Sequence, residues 1–278
     1  MPQSEPRTGL TERIERLTRL RGTVVPLVTP VNERRQVCEE STVRLIESLR
    51  GRVTGFMPAL STGEGWRLSL KQWIDIVHLT VAHADGAPVL AGVEIGRTAG
   101  ILARAGLAAE LGADAIVVPP PFPAADVPPV SLLEHFRVIT ENSPLPVFVY
   151  HENAISKAPL DVEALREVCA LPGVVGVKES SGSAEFTREL LAGGTDVPVF
   201  QGWEHLIADA PGVHGFVGPL ANLEPDACNA ALDGFSREAQ ARVDVLSKEY
   251  ELLADEWYLH VKTELVRRGV LGTALAAG

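Results

Sequence analysis

The sequence predicts an α/β protein folded as a (β/α)8 TIM barrel with an N-terminal helix and a C-terminal helical extension. Three observations carry this. Eight short, Val-rich apolar runs alternate with longer segments of helical period. The runs are flanked by Gly, Pro or Asp, as parallel strands buried on both faces are. No GxGxxG follows the first run, which weakens the other solution, an open doubly wound sheet.

The elements follow in order. Residues 8–20 (TGLTERIERLTRL) form an amphipathic helix. The eight runs are 23–28 (TVVPLV), 53–60 (VTGFMPAL), 88–93 (PVLAGV), 114–119 (DAIVVP), 146–150 (PVFVY), 174–178 (VVGVK), 197–201 (VPVFQ) and 213–217 (VHGFV). Between them, helices are expected over 69–84, 98–111, 130–140, 161–170 and 183–191. In the first of these Leu70, Trp73, Ile74, Val77 and Val81 share a face. Gly112 is a C-terminal stop for the second, Asp161 is an N-cap, and Gly193-Gly194 halts the last. The barrel is assigned to residues 1–224. Residues 225–278 form an extension of two or three helices, over 226–254 and 256–271, packed below or beside it.

Composition narrows the function classes. Hydrophobic residues make up 46% and charged residues 22%, which excludes a disordered chain. The net charge of −11 argues against nucleic acid as a main partner, while leaving room for a local anion pocket. Cys38, Cys169 and Cys228 are an odd number without metal-ligand spacing, so neither a disulfide framework nor a metal site is expected. No apolar run approaches the ~18 residues of a membrane span, and the first residues lack a secretory pattern. The expectation is a cytoplasmic protein with no membrane partner.

In such a barrel the chemistry gathers where the strands end at their C-terminal side. Lys178 ends the sixth run. Val174, Gly176 and Lys178 share a face by strand alternation, with the small Gly176 leaving room beneath the lysine. Desolvation there lowers a lysine pKa, and a neutral amine attacks a ketone to form a Schiff base. The local residues leave open a strand-end lysine paired with Glu179. Ser61, Thr62 and Gly63 follow the second run and can present several donors to one carboxylate, or form an ordinary hydroxyl turn. Tyr150 is either a proton relay or a packed rim ring.

Taken together, these residues resemble the dihydrodipicolinate synthase/N-acetylneuraminate lyase family, the pyruvate-type class I aldolases. The matching stretches are GTVVPLVTP, STGE, PVLAGV, ADAIVVPPP, PVFVY, GVVGVKESSG and GVHGFVGPLANLEP, running from about Gly22 to Asn222. The resemblance implies that Lys178 forms an imine with a 2-oxo acid, typically pyruvate. It implies that Ser61 and Thr62, with backbone donors such as Gly63, hold its carboxylate, and that Tyr150 shuttles protons. It implies no metal and no organic cofactor, and a homotetramer or homodimer.

Departures from the family refine the expectation. Phe122 stands where the synthase has a relay tyrosine, and Tyr250 and Tyr258 lie in the C-terminal helices. Ile155 replaces an arginine that binds the second substrate's carboxylate, and 154–156 (AIS) looks closer to the lyase branch. Glu204 occupies the place of an acid that contacts polyol hydroxyls, whereas Pro219 replaces a serine of the sialic acid lyase. Leu60 replaces a glycine before the STGE loop. His151 and Glu152 are unusual for the family and are read either as contacts to a distal part of the substrate or an extra acid–base pair, or as a solvated loop. Gly218 lies at the end of the eighth run, and Arg97 is an anion anchor or an exposed arginine. His205 and His214 lack metal-ligand spacing. The expectation is a Schiff-base lyase for a hydroxylated 2-oxo acid, in aldol cleavage or condensation, and not a true dihydrodipicolinate synthase. A same-mechanism dehydratase or deaminase and a non-catalytic 2-oxo acid sensor stay open.

Overall fold

The computed structural model of the chain describes residues 7–93, 97–120, 132–152 and 160–278. Phe122, Ile155 and the 154–156 stretch lie outside the described residues. Helix α1 (Arg7–Thr18) precedes β1 (Gly22–Val25), and α2 (Glu39–Leu49) leads to β2 (Gly55–Phe56). Then come α3 (Leu70–His83), β3 (Leu90–Gly92), α4 (Thr98–Glu110), β4 (Ala115–Val118), α5 (Leu132–Asn142) and β5 (Val147–Glu152). The barrel continues with α6 (Val162–Cys169), β6 (Val174–Ser180), α7 (Ala184–Ala192), β7 (Val199–Gln201) and β8 (Gly215–Phe216). Helices α8 (Pro225–Leu232), α9 (Arg237–Glu249) and α10 (Trp257–Arg267) follow.

Among the described residues the sheet has eight parallel strands in the order β2-β1-β8-β7-β6-β5-β4-β3. An isolated parallel bridge between Phe56 and Val89 joins its two ends, so the sheet closes on itself. The interior is packed with Val24, Met57, Leu90, Val117, Phe148, Val175, Phe200 and Val217, as the filled core of a barrel requires. Leu17 and Leu20, from the end of α1 and the residues after it, belong to the same cluster, so the first helix supplies part of the barrel's floor. A second, larger cluster lies between the strands and the surrounding helices.

Local chemistry accounts for the helix starts. Ser69 caps α3 in a reciprocal capping box with Gln72. Asp161 accepts the Ala164 N–H at 2.8 Å at the start of α6, and Ser183 accepts the Phe186 N–H at 3.2 Å at the start of α7. Gly112, just past α4, takes φ +87°, which a side chain rarely tolerates. Helix α2 is absent from the expected set, although Thr42, Leu45, Ile46 and Leu49 bury one face at helical spacing. All three cysteines are free thiols, and burial pushes Cys169 up to about 12.

His135, on α5, is buried, with its Nδ1 3.5 Å from the Thr98 hydroxyl. Burial pushes its pKa down to about 4, against a smaller opposing effect of the Pro119 carbonyl. The unfolded histidine titrates near ~6.5. Between about 6.5 and 4 the unfolded chain therefore gains a proton that the folded chain refuses. Stability is expected to fall by up to ~3 kcal/mol as pH drops through that window. Urea unfolding at pH 7 and pH 4.5 checks this, and His135→Gln should flatten the difference.

Candidate active site

The site forms where β2, β5, β6, β7 and β8 end. Strand alternation decides which side chains enter it. Strand β5 runs through Glu152, so Tyr150 and Glu152 face inward and His151 faces outward. Strand β6 runs through Ser180, so Lys178 and Ser180 face inward and Glu179 outward. The register pairs Tyr150 with Lys178 on neighbouring strands. An irregularity at Val147/Phe148 shifts the pairing, and Val174 packs in the outer cluster while Val175 joins the interior. Val174 therefore does not share the face of Lys178.

Lys178 is 6% exposed, and its Nζ lies 4.1 Å from the centre of the Tyr150 ring. The Tyr150 hydroxyl is 3.4 Å from Ser61 Oγ. The room beneath the lysine is filled: a Cβ on Gly176 would lie 2.2 Å from the Phe148 ring, so the glycine accommodates Phe148. Ser61–Gly63 make one turn of 3-10 helix. Leu60, before it, has φ −85°, so this position does not need glycine. The left-handed conformations fall on Ala59 and Glu64 on either side.

These groups share a cavity of about 360 Å³ with Thr62, Glu152, Ser180, Trp203, Glu204 and Pro219. Glu204 is buried, and its Oε1 accepts the Leu220 N–H at 3.1 Å. Burial pushes its carboxyl above the usual carboxylate range, against the opposing pull of the Leu220 N–H and the nearby Lys178.

Four expected contacts do not line the cavity. His151 is fully buried outside the barrel, stacked on Phe186 with ring centroids 4.9 Å apart, and its Nδ1 is 3.5 Å from Glu179 Oε1. Continuation of β5 past Tyr150 turned it outward. Glu179 faces this histidine instead of pairing with Lys178. Burial raises its carboxyl, but His151, Ser181 and Thr187 outweigh that and hold it below the usual carboxylate range. Arg97 is exposed at the N-cap of α4, away from the cavity lining. Gly63 and Gly218 serve close packing. A Cβ on Gly63 would meet the Leu27 carbonyl at 2.6 Å, and one on Gly218 would meet Glu204 Oε1 at 2.6 Å. His214 accepts the Val199 N–H at 3.1 Å within the sheet. Among the described residues no cluster of His, Cys, Asp or Glu is arranged to hold a metal ion. No described helix is long and apolar enough to cross a membrane.

The sequence reading missed the outer wall. Leu252, Leu253, Ala254, Asp255 and Trp257, between α9 and the start of α10, also line the cavity. The extension thus reaches over the C-terminal rim, instead of staying below or beside the barrel. The Trp257 indole N–H donates to Thr62 Oγ1 at 3.3 Å. Behind it, Lys262 and Glu64 form a fully buried ion pair. Lys262 also donates to the Leu275 carbonyl at 2.9 Å, and the Ala277 N–H donates to Glu64 Oε2 at 2.8 Å. Tyr258 packs edge-on against Trp257 and Trp66, and Tyr250 donates to Glu224 at 3.0 Å, so neither reaches the cavity.

Comparison with known proteins places this geometry. A model of the dihydrodipicolinate synthetase family matches residues 19–276. A 4-hydroxy-tetrahydrodipicolinate synthase of Xanthomonas campestris is 32% identical over 264 residues, 90% of this chain and 86% of its own. One of Phenylobacterium zucineum is 33% identical over 233 residues, 77% of this chain and 75% of its own. The dihydrodipicolinate synthase structure from Bacteroides thetaiotaomicron superposes with a TM-score of 0.84 at 27% identity, covering 93% of this chain and 92% of the other. A nearly full-length family match, relatives at this identity and a closed eight-stranded barrel agree: the chain belongs to the dihydrodipicolinate synthetase family and is a lyase of the class I aldolase type.

Proposed function

We propose that the protein forms a Schiff base between Lys178 and pyruvate or a related 2-oxo acid, and makes or breaks a carbon–carbon bond next to it. The single observation that carries the reading is the stacking of Lys178 Nζ over Tyr150, whose hydroxyl approaches Ser61 in one cavity. The amine attacks the ketone carbon, and the carbonyl oxygen leaves as water. The resulting iminium draws electrons from the C–H bond of the neighbouring carbon, whose proton passes to the Tyr150–Ser61 hydroxyl pair. The enamine carbon then attacks an aldehyde, whose oxygen takes a proton, and water releases the product from Lys178. Cleavage is the reverse. Thr62, held by Trp257, and Ser61 receive the carboxylate. These roles require neither a metal nor an organic cofactor.

The finer proposal is that the aldehyde is not that of the lysine-pathway synthase. The relatives' names favour that synthase. Against it stand Phe122 and Ile155, where the synthase's relay tyrosine and carboxylate-binding arginine are expected. A second reading, dehydration through the same imine, is favoured by Glu204, which in its protonated form can deliver a proton to a departing hydroxyl. A homodimer or homotetramer belongs to the proposal.

Incubation with pyruvate, reduction with borohydride and intact-mass measurement test the reading. One reduced adduct is expected, on the peptide carrying Lys178. An unmodified Lys178 peptide with every 2-oxo acid tried refutes it. Ready condensation of pyruvate with aspartate semialdehyde by the unaltered protein refutes the finer proposal.

A further inference from the structure

We propose that the open half of the cavity seats an apolar body, so that the aldehyde joined to or released from the 2-oxo acid carries an alkyl chain or an aromatic ring. This rests on the aldol reading above. Burial divides the described residues of the lining in two. Apart from Asp255, the polar side chains are 8% exposed or less, and they include the reacting Lys178 and Tyr150. The half-buried and exposed side chains are Trp203, Pro219, Leu253, Ala254 and Trp257, with Asp255 as the one charge among them. The cavity volume of about 360 Å³ falls in the ~300–1,000 Å³ range of sites for drug-sized ligands, so space remains beyond a three-carbon acid.

The apolar character of the open half is built in. Both tryptophans spend their indole N–H groups on the protein: Trp203 donates to the Ser180 carbonyl at 3.1 Å and Trp257 to Thr62 Oγ1 at 3.3 Å. What the two rings offer a ligand is aromatic carbon. Leu253 is 67% exposed, and backbone bonds hold the turn that carries it. The Leu252 N–H donates to the Ser247 carbonyl at 2.9 Å, and the Ala254 N–H to the Glu251 carbonyl at 3.1 Å. A leucine held in water at the mouth of a cavity lined by two indoles is apolar surface that gains by being covered. A hydroxylated chain placed against these side chains would give up water for surfaces that offer it no hydrogen bond, a cost that an alkyl or aryl group does not carry. The chemistry balances with such a partner. The enamine carbon bonds to the aldehyde carbon, the C=O π pair moves to oxygen, and that oxygen takes a proton; cleavage reverses each step.

The test compares pyruvate-dependent consumption of propanal, 3-phenylpropanal and glyceraldehyde. The unaltered protein should show a kcat/KM for 3-phenylpropanal about tenfold or more above that for propanal, with glyceraldehyde below 3-phenylpropanal. Leu253→Ser should cut the ratio of 3-phenylpropanal to propanal about fourfold, the size of one methylene taken out of contact. Leu253→Met, which keeps the apolar volume, should restore it. Leu253 is exposed, so both variants should fold normally. Borohydride trapping with pyruvate and sedimentation velocity are run in parallel. A missing adduct fails the imine reading itself. A normal adduct with 3-phenylpropanal no better than propanal or glyceraldehyde, with no aldehyde consumed, or with a ratio that Leu253→Ser leaves unchanged, overturns the inference and leaves the imine reading standing. So does a Leu253→Ser protein whose oligomeric state changes at an unchanged ratio, which assigns Leu253 to a contact between copies of the chain.

Discussion

Lys178→Met is expected to abolish borohydride-trapped adduct with pyruvate and to lower turnover on the order of 10⁴-fold or more, as loss of a covalent nucleophile does. Methionine fills nearly the same volume, so the interior around Phe148 and Tyr150 should keep its packing and the variant should melt close to the unaltered protein. That separates loss of chemistry from loss of fold. Tyr150→Phe is the matching control. It keeps the ring beneath the lysine and removes the hydroxyl 3.4 Å from Ser61. It should still yield adduct, more slowly, with turnover reduced about 10²–10³-fold. A Lys178→Met protein that retains turnover would place the chemistry on another residue.

The largest stability effect is expected from Lys262→Met. Lys262 and Glu64 are both fully buried, and Glu64 also accepts the Ala277 N–H. Removing the ammonium leaves a carboxylate in the interior. Loss of one member of a buried pair costs about 3–5 kcal/mol. Arg67, 3.6 Å from Glu64, offsets part of this and argues for the lower end of the range. A domain of this size should then melt on the order of 10 °C lower. Glu64→Gln combined with Lys262→Met removes both charges and should recover most of the loss, because two neutral groups of similar shape are far cheaper to bury. The single variant should also raise KM for the 2-oxo acid, since Lys262 anchors the helix that begins at Trp257, the partner of Thr62. A single variant as stable as the unaltered protein would show that the pair does not hold the extension in place.

Much of this molecule was legible locally. Ser69, Asp161 and Ser183 cap helices because a side-chain oxygen satisfies N–H groups two or three residues away, a relation written into the adjacent sequence. Lys178 and Tyr150 sit at the ends of Val-rich runs, and strand alternation carries both to the same interior. The strand's end was misplaced at His151. The sequence reading ended the fifth strand at Tyr150 and read the next two residues at the rim either as substrate contacts or an extra acid–base pair, or as a solvated loop. The strand continues to Glu152, so His151 points outward to Phe186 while Glu152 enters the cavity.

The sequence by itself determined the barrel and the family resemblance, and placed Lys178 and Tyr150 at strand ends, because each follows from patterns that repeat over two to four residues or from stretches that match as strings. Only the tertiary structure decided what covers the cavity. Glu64 meets Lys262, Thr62 meets Trp257, and Asp255 reaches the mouth across nearly two hundred residues of chain. No local period encodes such meetings. They arise because the extension buries its apolar faces against the rim, and its polar groups must then find partners there.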